Sequence, residues 1–419
     1  MLQTEIEGYL REQYQEGTAL YPAYDDYCFA NIPGTAASVL NVDVGPTLPN
    51  DVFGNIEPSA EHVVVILLDG LGWKRWQRDS DDPVVSSVSE QGVVTPLTSI
   101  VPSATVSAIT TIHTARPAGT HGVFGRSSYI PPHNSIVHSF SFSEHTNTSA
   151  ASSTPSFPPR DLITADPIYP RLEQAGVRTQ IIQPAPTLGT NYANVAFRGA
   201  TQMPVEGPAE TAAKLREVLE SATAQTYTYV YLPQIDTVTH DQGQDSEAYH
   251  RTLADITRPF KRELGEKLDA ETAADTLVFV TADHGMIDME PGPPGCLDLR
   301  DIEAVYDNLR RVNGVPGIYG AQQMTHLLVD PETQDTVITA LERENVDVYL
   351  RKTIEDGRFF GGGSAVEQRC GDLVITHRDH KLIHDWAESV IPTIGQHGGL
   401  RPGEMLIPFG VIRGSKLKT

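Results

Sequence analysis

Seven residues of the chain are of types that can hold metal ions and use them: Asp69, Thr105, Asp236, His240, Asp283, His284 and His397. Three carboxylates, three imidazoles and one hydroxyl make a ligand set for two divalent cations. Such a mixture suits Zn²⁺, with Mn²⁺ as the alternative, better than Ca²⁺. Asp236 and His240 are four apart, so one helical turn sets both on the same side. Asp283 and His284 are adjacent and would point apart on a strand, but past a strand end the chain can turn and converge both on one ion. Each piece also has a plainer meaning. Asp69-Gly70 is an ordinary turn pair, Asp236 with His240 an ordinary surface pair, and His397 among glycines an ordinary exposed loop residue. They gain weight together, because four separate strand ends each deliver a ligand-type residue and a sheet gathers strand ends.

Thr105 supplies the hydroxyl. It lies in LTSIVPSATVSAITTIHTARPAGTHG, residues 97–122. The small residues predict a helix from about Thr105 to Ala115, closed by Pro117 and Gly119. Thr105 then sits in the first turn, where free N–H groups and the positive dipole end favour a phosphate or the residue's own alkoxide. Its plainer role would be that of a cap-region threonine.

Several elements must position these residues. The run HVVVILLDG (62–70) is continuously apolar, as in a parallel strand buried on both faces, and Asp69 stands at its end. Strands are likewise expected at 93–97, 178–183, 226–233 (before Asp236), 276–281 (before Asp283-His284) and 406–412 (after His397). Helices are expected at 1–16, 74–90, 168–175, 210–223 and 246–269. Strand and helix alternating imply an α/β fold: a mostly parallel central sheet with helices on both faces. Ligands in such sheets bind beyond the carboxyl ends of the strands. Residues 1–60, rich in Tyr, Pro, Gly and Asn after the first helix, are expected to wrap the surface. Residues 61–285 form the catalytic core, 286–386 a smaller inserted α/β lobe, and 387–419 a return to the core. Residues 126–160, ending in TNTSAASSTPSFPP, read as a loop at the site's rim.

The chain resembles the alkaline phosphatase superfamily, and most the nucleotide pyrophosphatase/phosphodiesterase branch. The resemblance rests on five motifs in family order: Asp69 after the first core strand, Pro102-Ser-Ala-Thr105 with His121-Gly122 sixteen residues on, Asp236-Thr-Val-Thr-His240, Asp283-His284-Gly285 and His397-Gly398. It implies that Thr105 is a nucleophile. It also implies one zinc on Asp236, His240 and His397, and a second on Asp69, Asp283, His284 and the Thr105 oxygen. The implied activity is metal-dependent hydrolysis of phosphate esters in two displacements through a phosphothreonine. A free hydroxyl needs activation, and a metal ion provides it, as zinc lowers the pKa of bound water from ~15.7 to ~7. The family's phosphodiesterases place an asparagine 21 residues after the nucleophile, and here that position is Arg126. Arg126 either clamps two phosphoryl oxygens, which would favour a dianionic monoester, or points to solvent. Phosphomonoesterases, phosphonate hydrolases, phosphate-transferring mutases and sulfatase-like hydrolases share the fold. Threonine at 105 disfavours the last, which needs a cysteine or serine. A non-catalytic, metal-dependent module that binds a phosphorylated ligand is the alternative of a different class.

The expected partner is a small phosphorylated molecule. A nucleic-acid duplex is disfavoured, because the net charge is −23 and no basic stripe is present. Only 8 lysines occur, leaving 23 of the 31 basic residues as arginine. That acidic, lysine-poor balance suits a protein that works in high salt. No run approaches the ~20 apolar residues of a membrane span, and the N-terminus lacks a signal-peptide core. The three scattered cysteines form no metal or disulfide pattern. Together these features predict a cytoplasmic location.

Overall fold

A computed structural model describes residues 1–145, 154–354, 357–385 and 394–417. The main sheet has seven strands: β1 (His62–Leu68), β2 (Val93–Thr98), β3 (Arg178–Pro184), β4 (Thr201–Val205), β5 (Thr226–Leu232), β6 (Thr276–Thr281) and β7 (Leu406–Arg413). Their order is β2-β7-β6-β1-β5-β3-β4. β1 pairs in parallel with β5 and β6, and β3 with β5 and β4. β7 alone runs antiparallel to its neighbours. The central strands are almost wholly buried, as a sheet covered on both faces requires: β1 and β6 are mainly aliphatic, and β5 carries Thr226, Thr228 and three tyrosines among its buried residues.

Register explains how remote residues meet. Leu68 stands opposite Leu232, and Leu67 opposite Thr281, so β1, β5 and β6 end level. Because β7 is antiparallel, its first residue, Leu406, pairs with Thr98 at the end of β2. The loop before β7 therefore reaches the same edge as the loops after the parallel strands.

A second seven-stranded sheet runs Val346–Leu350, Leu373–His377, Met324–Leu327, Ile318–Ala321, Ser127–Ile130, Ser135–His138 and Ser143–Glu144 in spatial order. Its last three strands come from the stretch expected to be a rim loop. Their few apolar residues come as the adjacent pairs Tyr129-Ile130 and Ile136-Val137 among serines and histidines, so the pattern of a hairpin was masked by polar composition. Residues 146–153 of that stretch lie outside the described residues.

Residues 17–60 do not simply wrap the surface. Leu20, Tyr21, Tyr27, Phe29 and Ile32 are buried, and a helix at Ile32–Val39 packs against β1 and the Thr105 helix. Turn residues set the backbone there, but the apolar residues between them join the core. The first residues pair with β2 through Gln3 N–H to Val94 O and Val94 N–H to Met1 O, covering part of its exposed edge. Sequence pattern also missed the short helix Asn191–Ala196 and strand β4, whose pattern is only partly buried. The helix expected over 246–269 forms as Glu247–Phe260, continuing in wider π turns over Lys261–Lys267. All three cysteines are free. No described helix is long and apolar enough to cross a membrane.

Candidate active site

The nucleophile candidate heads helix α1 (Thr105–Thr114), which is buried along its whole length after Thr105. Ala104 precedes it in extended conformation and offers no capping side chain. Ser107 N–H donates to Ala104 O at 3.0 Å, which leaves the Thr105 and Val106 amides for another acceptor. Thr105 Oγ1 lies 3.0 Å from His284 Nε2. The helix ends at Ala115 in left-handed conformation. His121, part of the sequence motif, is buried away from the cluster. Its Nε2 contacts Thr111 Oγ1 at 3.0 Å, and its Nδ1 accepts from Val123 N–H at 3.1 Å. It ties α1 to the turn that follows.

Helix α2 (Gln234–Gln242) follows β5 and carries Asp236 and His240 on one side, with His240 Nε2 3.3 Å from Asp236 Oδ1. His397 Nε2 is 3.6 Å from the same oxygen. His284 Nε2 lies 3.4 Å from Asp69 Oδ1 and 3.2 Å from Asp283 Oδ2. The rings of His284 and His397 stack at 3.6 Å. Two triads result, Asp236–His240–His397 and Asp69–Asp283–His284, each compact enough to share one ion. Gly70 permits this closeness. It adopts φ +78°, and a Cβ there would stand 3.1 Å from Asp236 Cα.

The donor set fits metal on two further counts. Asp69 Oδ1, Asp236 Oδ1 and Asp283 Oδ2 are buried and accept no hydrogen bond, a costly state unless a cation completes them. Each imidazole also turns its Nδ1 to a backbone carbonyl: His240 to Gly395 at 2.6 Å, His284 to Gly285 at 3.0 Å, and His397 to Ser103 at 2.9 Å. A carbonyl can only accept, so Nδ1 carries the proton and Nε2 keeps the lone pair for a ligand.

The electrostatics are those of crowded ligands. Burial, then Asp236, pushes the Asp283 carboxyl up to about 6, and burial with Asp283 and Asp236 drives Asp69 well above the usual range. Burial also raises Asp236, but the imidazoles of His240, His397 and His284 outweigh it and hold this carboxyl at about 2. Burial lowers His284 to about 4 and, with His284 beside it, His397 to about 3. Burial pulls His240 down too, yet Asp236 reverses that and raises it.

The structure thus gathers seven of the eight predicted residues. Arg126 is apart from them. It is exposed, and its guanidinium makes no ion pair among the described residues. Sequence reasoning missed the supporting shell. The Tyr231 hydroxyl donates to Asp69 Oδ2, and Ser99 Oγ donates to Asp283 O. Ser103 Oγ donates to Gly399 O at 2.9 Å and accepts from Gly398 N–H at 3.1 Å. The strict alternation of Tyr227, Tyr229 and Tyr231 was the one visible hint of an inward tyrosine next to the strand end.

The sequence pattern of type I phosphodiesterases and nucleotide pyrophosphatases matches residues 63–400. The chain belongs to that family. It is therefore placed among the phosphoric ester hydrolases. Among solved structures, murine ectonucleotide pyrophosphatase/phosphodiesterase 5 is similar at 17% identity, with 84% of this chain and 87% of that one covered and a TM-score of 0.64. The human counterpart is similar at 18% identity over the same shares, with a TM-score of 0.65. Phosphonoacetate hydrolase from Sinorhizobium meliloti, solved with phosphonoformate, is 17% identical over 84% of this chain and 93% of its own, with a TM-score of 0.60. These likenesses show an alkaline phosphatase-like fold. No curated protein matches by sequence.

Proposed function

We propose that the chain hydrolyses phosphodiester or pyrophosphate bonds of small phosphorylated molecules, nucleotides among them, through a covalent phosphothreonine at Thr105. The observation that carries this is the placement of the Thr105 hydroxyl at an uncapped helix N-terminus, 3.0 Å from His284 in one of two metal-type triads. Asp236, His240 and His397 would hold one divalent cation. Asp69, Asp283, His284 and the Thr105 oxygen would hold the other, and the mixed donors fit zinc best. When bound, the cations stabilise negative charge on the entering, leaving and phosphoryl oxygens.

The chain's own residues do the rest. Thr105 Oγ1 attacks phosphorus in line, and the bond to the leaving oxygen breaks with its electron pair going to the leaving group. The Thr105 and Val106 amides at the start of α1 bind a phosphoryl oxygen, positioned where charge grows. Water then attacks the phosphothreonine, releasing the phosphorylated product and restoring the hydroxyl. An inactive threonine-to-alanine variant of the murine relative, solved with AMP, supports this reading.

The test is hydrolysis of bis-p-nitrophenyl phosphate and p-nitrophenyl phosphate with Zn²⁺ or Mn²⁺. Preference for the diester is expected. Thr105→Ala should abolish turnover and retain metal. Near-normal turnover by that variant would overturn the covalent route. Zinc-loaded wild-type protein that hydrolyses neither ester would instead be a phospho-ligand-binding module.

A further inference from the structure

Glu404 has no part in the chemistry described above, yet it is fully buried. Buried carboxylates are ordinarily paired with a cation. This one makes no ion pair among the described residues and is held by backbone amides instead. Its Oε2 accepts from Gly399 N–H at 2.9 Å, and its Oε1 from Arg401 N–H at 2.9 Å. The second bond is an ordinary cap of the short helix Pro402–Met405. The first reaches back beyond that cap, to the loop that carries His397.

The same residue joins both ligand groups. Through its side chain it holds Gly399, two residues past His397. Through its main chain it holds the other loop, because Glu404 O accepts Gly285 N–H at 2.8 Å, directly after His284. The approach there is close: a Cβ at Gly285 would stand 2.1 Å from Gly403 O. Ser103 Oγ holds Gly398 N–H and Gly399 O. With Glu404 on Gly399 N–H, the loop after His397 is fixed at consecutive residues.

Two N–H groups point at the two oxygens, so both oxygens must accept. The ionised carboxylate does this, whereas a protonated acid or an amide turns a donor toward one of the N–H groups. Burial pushes the Glu404 carboxyl up to about 7, with the two amides and the Arg401 guanidinium opposing. That guanidinium is engaged elsewhere, with His380 Nδ1 at 3.0 Å and Arg378 O at 3.2 Å. Near neutral pH the acid is therefore present in both forms.

We propose that Glu404 is a positioning residue of the metal centre, whose ionised carboxylate fixes the His397 loop so that His397 meets Asp236 and His240 on one cation. It acts through the Gly399 and Arg401 amides. The proposal rests on the two-triad metal reading given above.

The experiment is zinc affinity of the full chain at pH 8 and pH 6, by competition with a chromophoric chelator, for wild type and Glu404→Gln. Acid protonates the imidazole ligands in both proteins, so the ratio of their affinities isolates Glu404. At pH 8 the wild-type acid is ionised, and the variant should bind zinc about tenfold more weakly, the scale for a lost partner of a metal ligand. At pH 6 wild type is itself mostly protonated, and the ratio should shrink to about twofold. A ratio that stays the same at both pH values would mean a brace indifferent to charge and overturn the proposal, as would equal affinity at pH 8. Glu404→Asp keeps the charge and shortens the reach by one methylene, and serves if the glutamine variant does not fold. It should also bind zinc more weakly at pH 8 and converge with wild type at pH 6. The metal reading fails separately: wild type that binds no zinc at either pH removes both readings, whereas wild type that binds zinc and a variant that matches it remove the role of Glu404 alone.

Discussion

The backbone carbonyl of Ser103 accepts the Nδ1–H of His397 at 2.9 Å, joining the segment just before the nucleophile to the last metal ligand. Residues 294 apart in sequence thus share one support. The Ser103 hydroxyl completes it by bonding Gly398 N–H and Gly399 O. Ser103→Ala keeps the carbonyl and removes the hydroxyl, leaving a buried N–H unpaired at a cost of about 1–3 kcal/mol. Loosening of the His397 loop is the consequence. Zinc affinity should fall about tenfold, the scale seen for lost partners of metal ligands. Competition against a chromophoric chelator checks this, and an unchanged affinity would show that the loop holds without the hydroxyl.

Tyr231 supports the other triad. Its hydroxyl donates to Asp69 Oδ2, an acid whose burial beside Asp283 and Asp236 drives its pKa upward. Tyr231→Phe removes the one hydrogen bond that stabilises the charged form. Asp69 then ionises less readily, so zinc binding should weaken by about tenfold at pH 6 and by less at pH 8. Affinities measured at the two pH values give the test. Equal losses at both would mean that the tyrosine only orients the ring of ligands.

Much of this site was legible because ligand residues sit at strand ends, and the register of a parallel sheet levels those ends. Asp69, Asp283 and Asp236 follow β1, β6 and β5 by one, two and four residues, so the buried runs before them located them. His397 was a candidate by residue type in a glycine-rich loop before a strand, and the antiparallel direction of β7, which brings that loop to the same edge, cannot be seen in its sequence. Ser103 and Ser99 were not legible, since a serine that braces a loop has the same local pattern as one that faces water, and Tyr231 was hinted at only by the alternation of tyrosines along β5. The ribbon at 127–144 was lost to composition, because its apolar pairs Tyr129-Ile130 and Ile136-Val137 are short and its serines are polar even where buried. Pairing with Ile318–Ala321, far along the chain, is what makes that ribbon a sheet.

Buried neutral histidine makes the fold sensitive to acid. His326 is fully buried against Phe124, Tyr319 and Phe360, and its Nδ1 accepts from Gly371 N–H at 3.1 Å. Burial, assisted by Arg351, lowers its pKa from 6.5 to about 3. The folded-state pKa is depressed, so this stability is present above pH 6.5 and lost as pH falls toward 3. Between pH 7 and 5 the linkage amounts to about 2 kcal/mol. His326→Asn retains an acceptor for Gly371 and no titrating ring. Urea unfolding at both pH values should show the variant losing about 2 kcal/mol less than wild type on acidification, whatever its lower stability at pH 7. Parallel losses would mean that His326 already escapes protonation in the unfolded chain.

The acidic excess makes a prediction about salt. Fifty-four acids against thirty-one basic residues leave like charges spread over the surface. At low ionic strength their repulsion acts across the molecule, with a screening length near 30 Å at 0.01 M and near 3 Å at 1 M. Because the unfolded chain spreads the same charges further apart, repulsion destabilises the compact state. Scarce lysine accentuates this, since few flexible cations are available to intersperse among the acids. The Tm of the zinc-loaded protein should therefore rise by several degrees between 0.01 and 1 M KCl, and rise similarly in NaCl. Comparison with sodium sulfate separates screening from salting-out: at matched ionic strength, screening predicts equal gains, whereas exclusion from the surface predicts a larger gain in sulfate. A flat Tm in KCl would show that the acids are already balanced locally, through pairs such as Arg75 with Asp245 and Arg216 with Glu263, and that the high-salt reading is wrong.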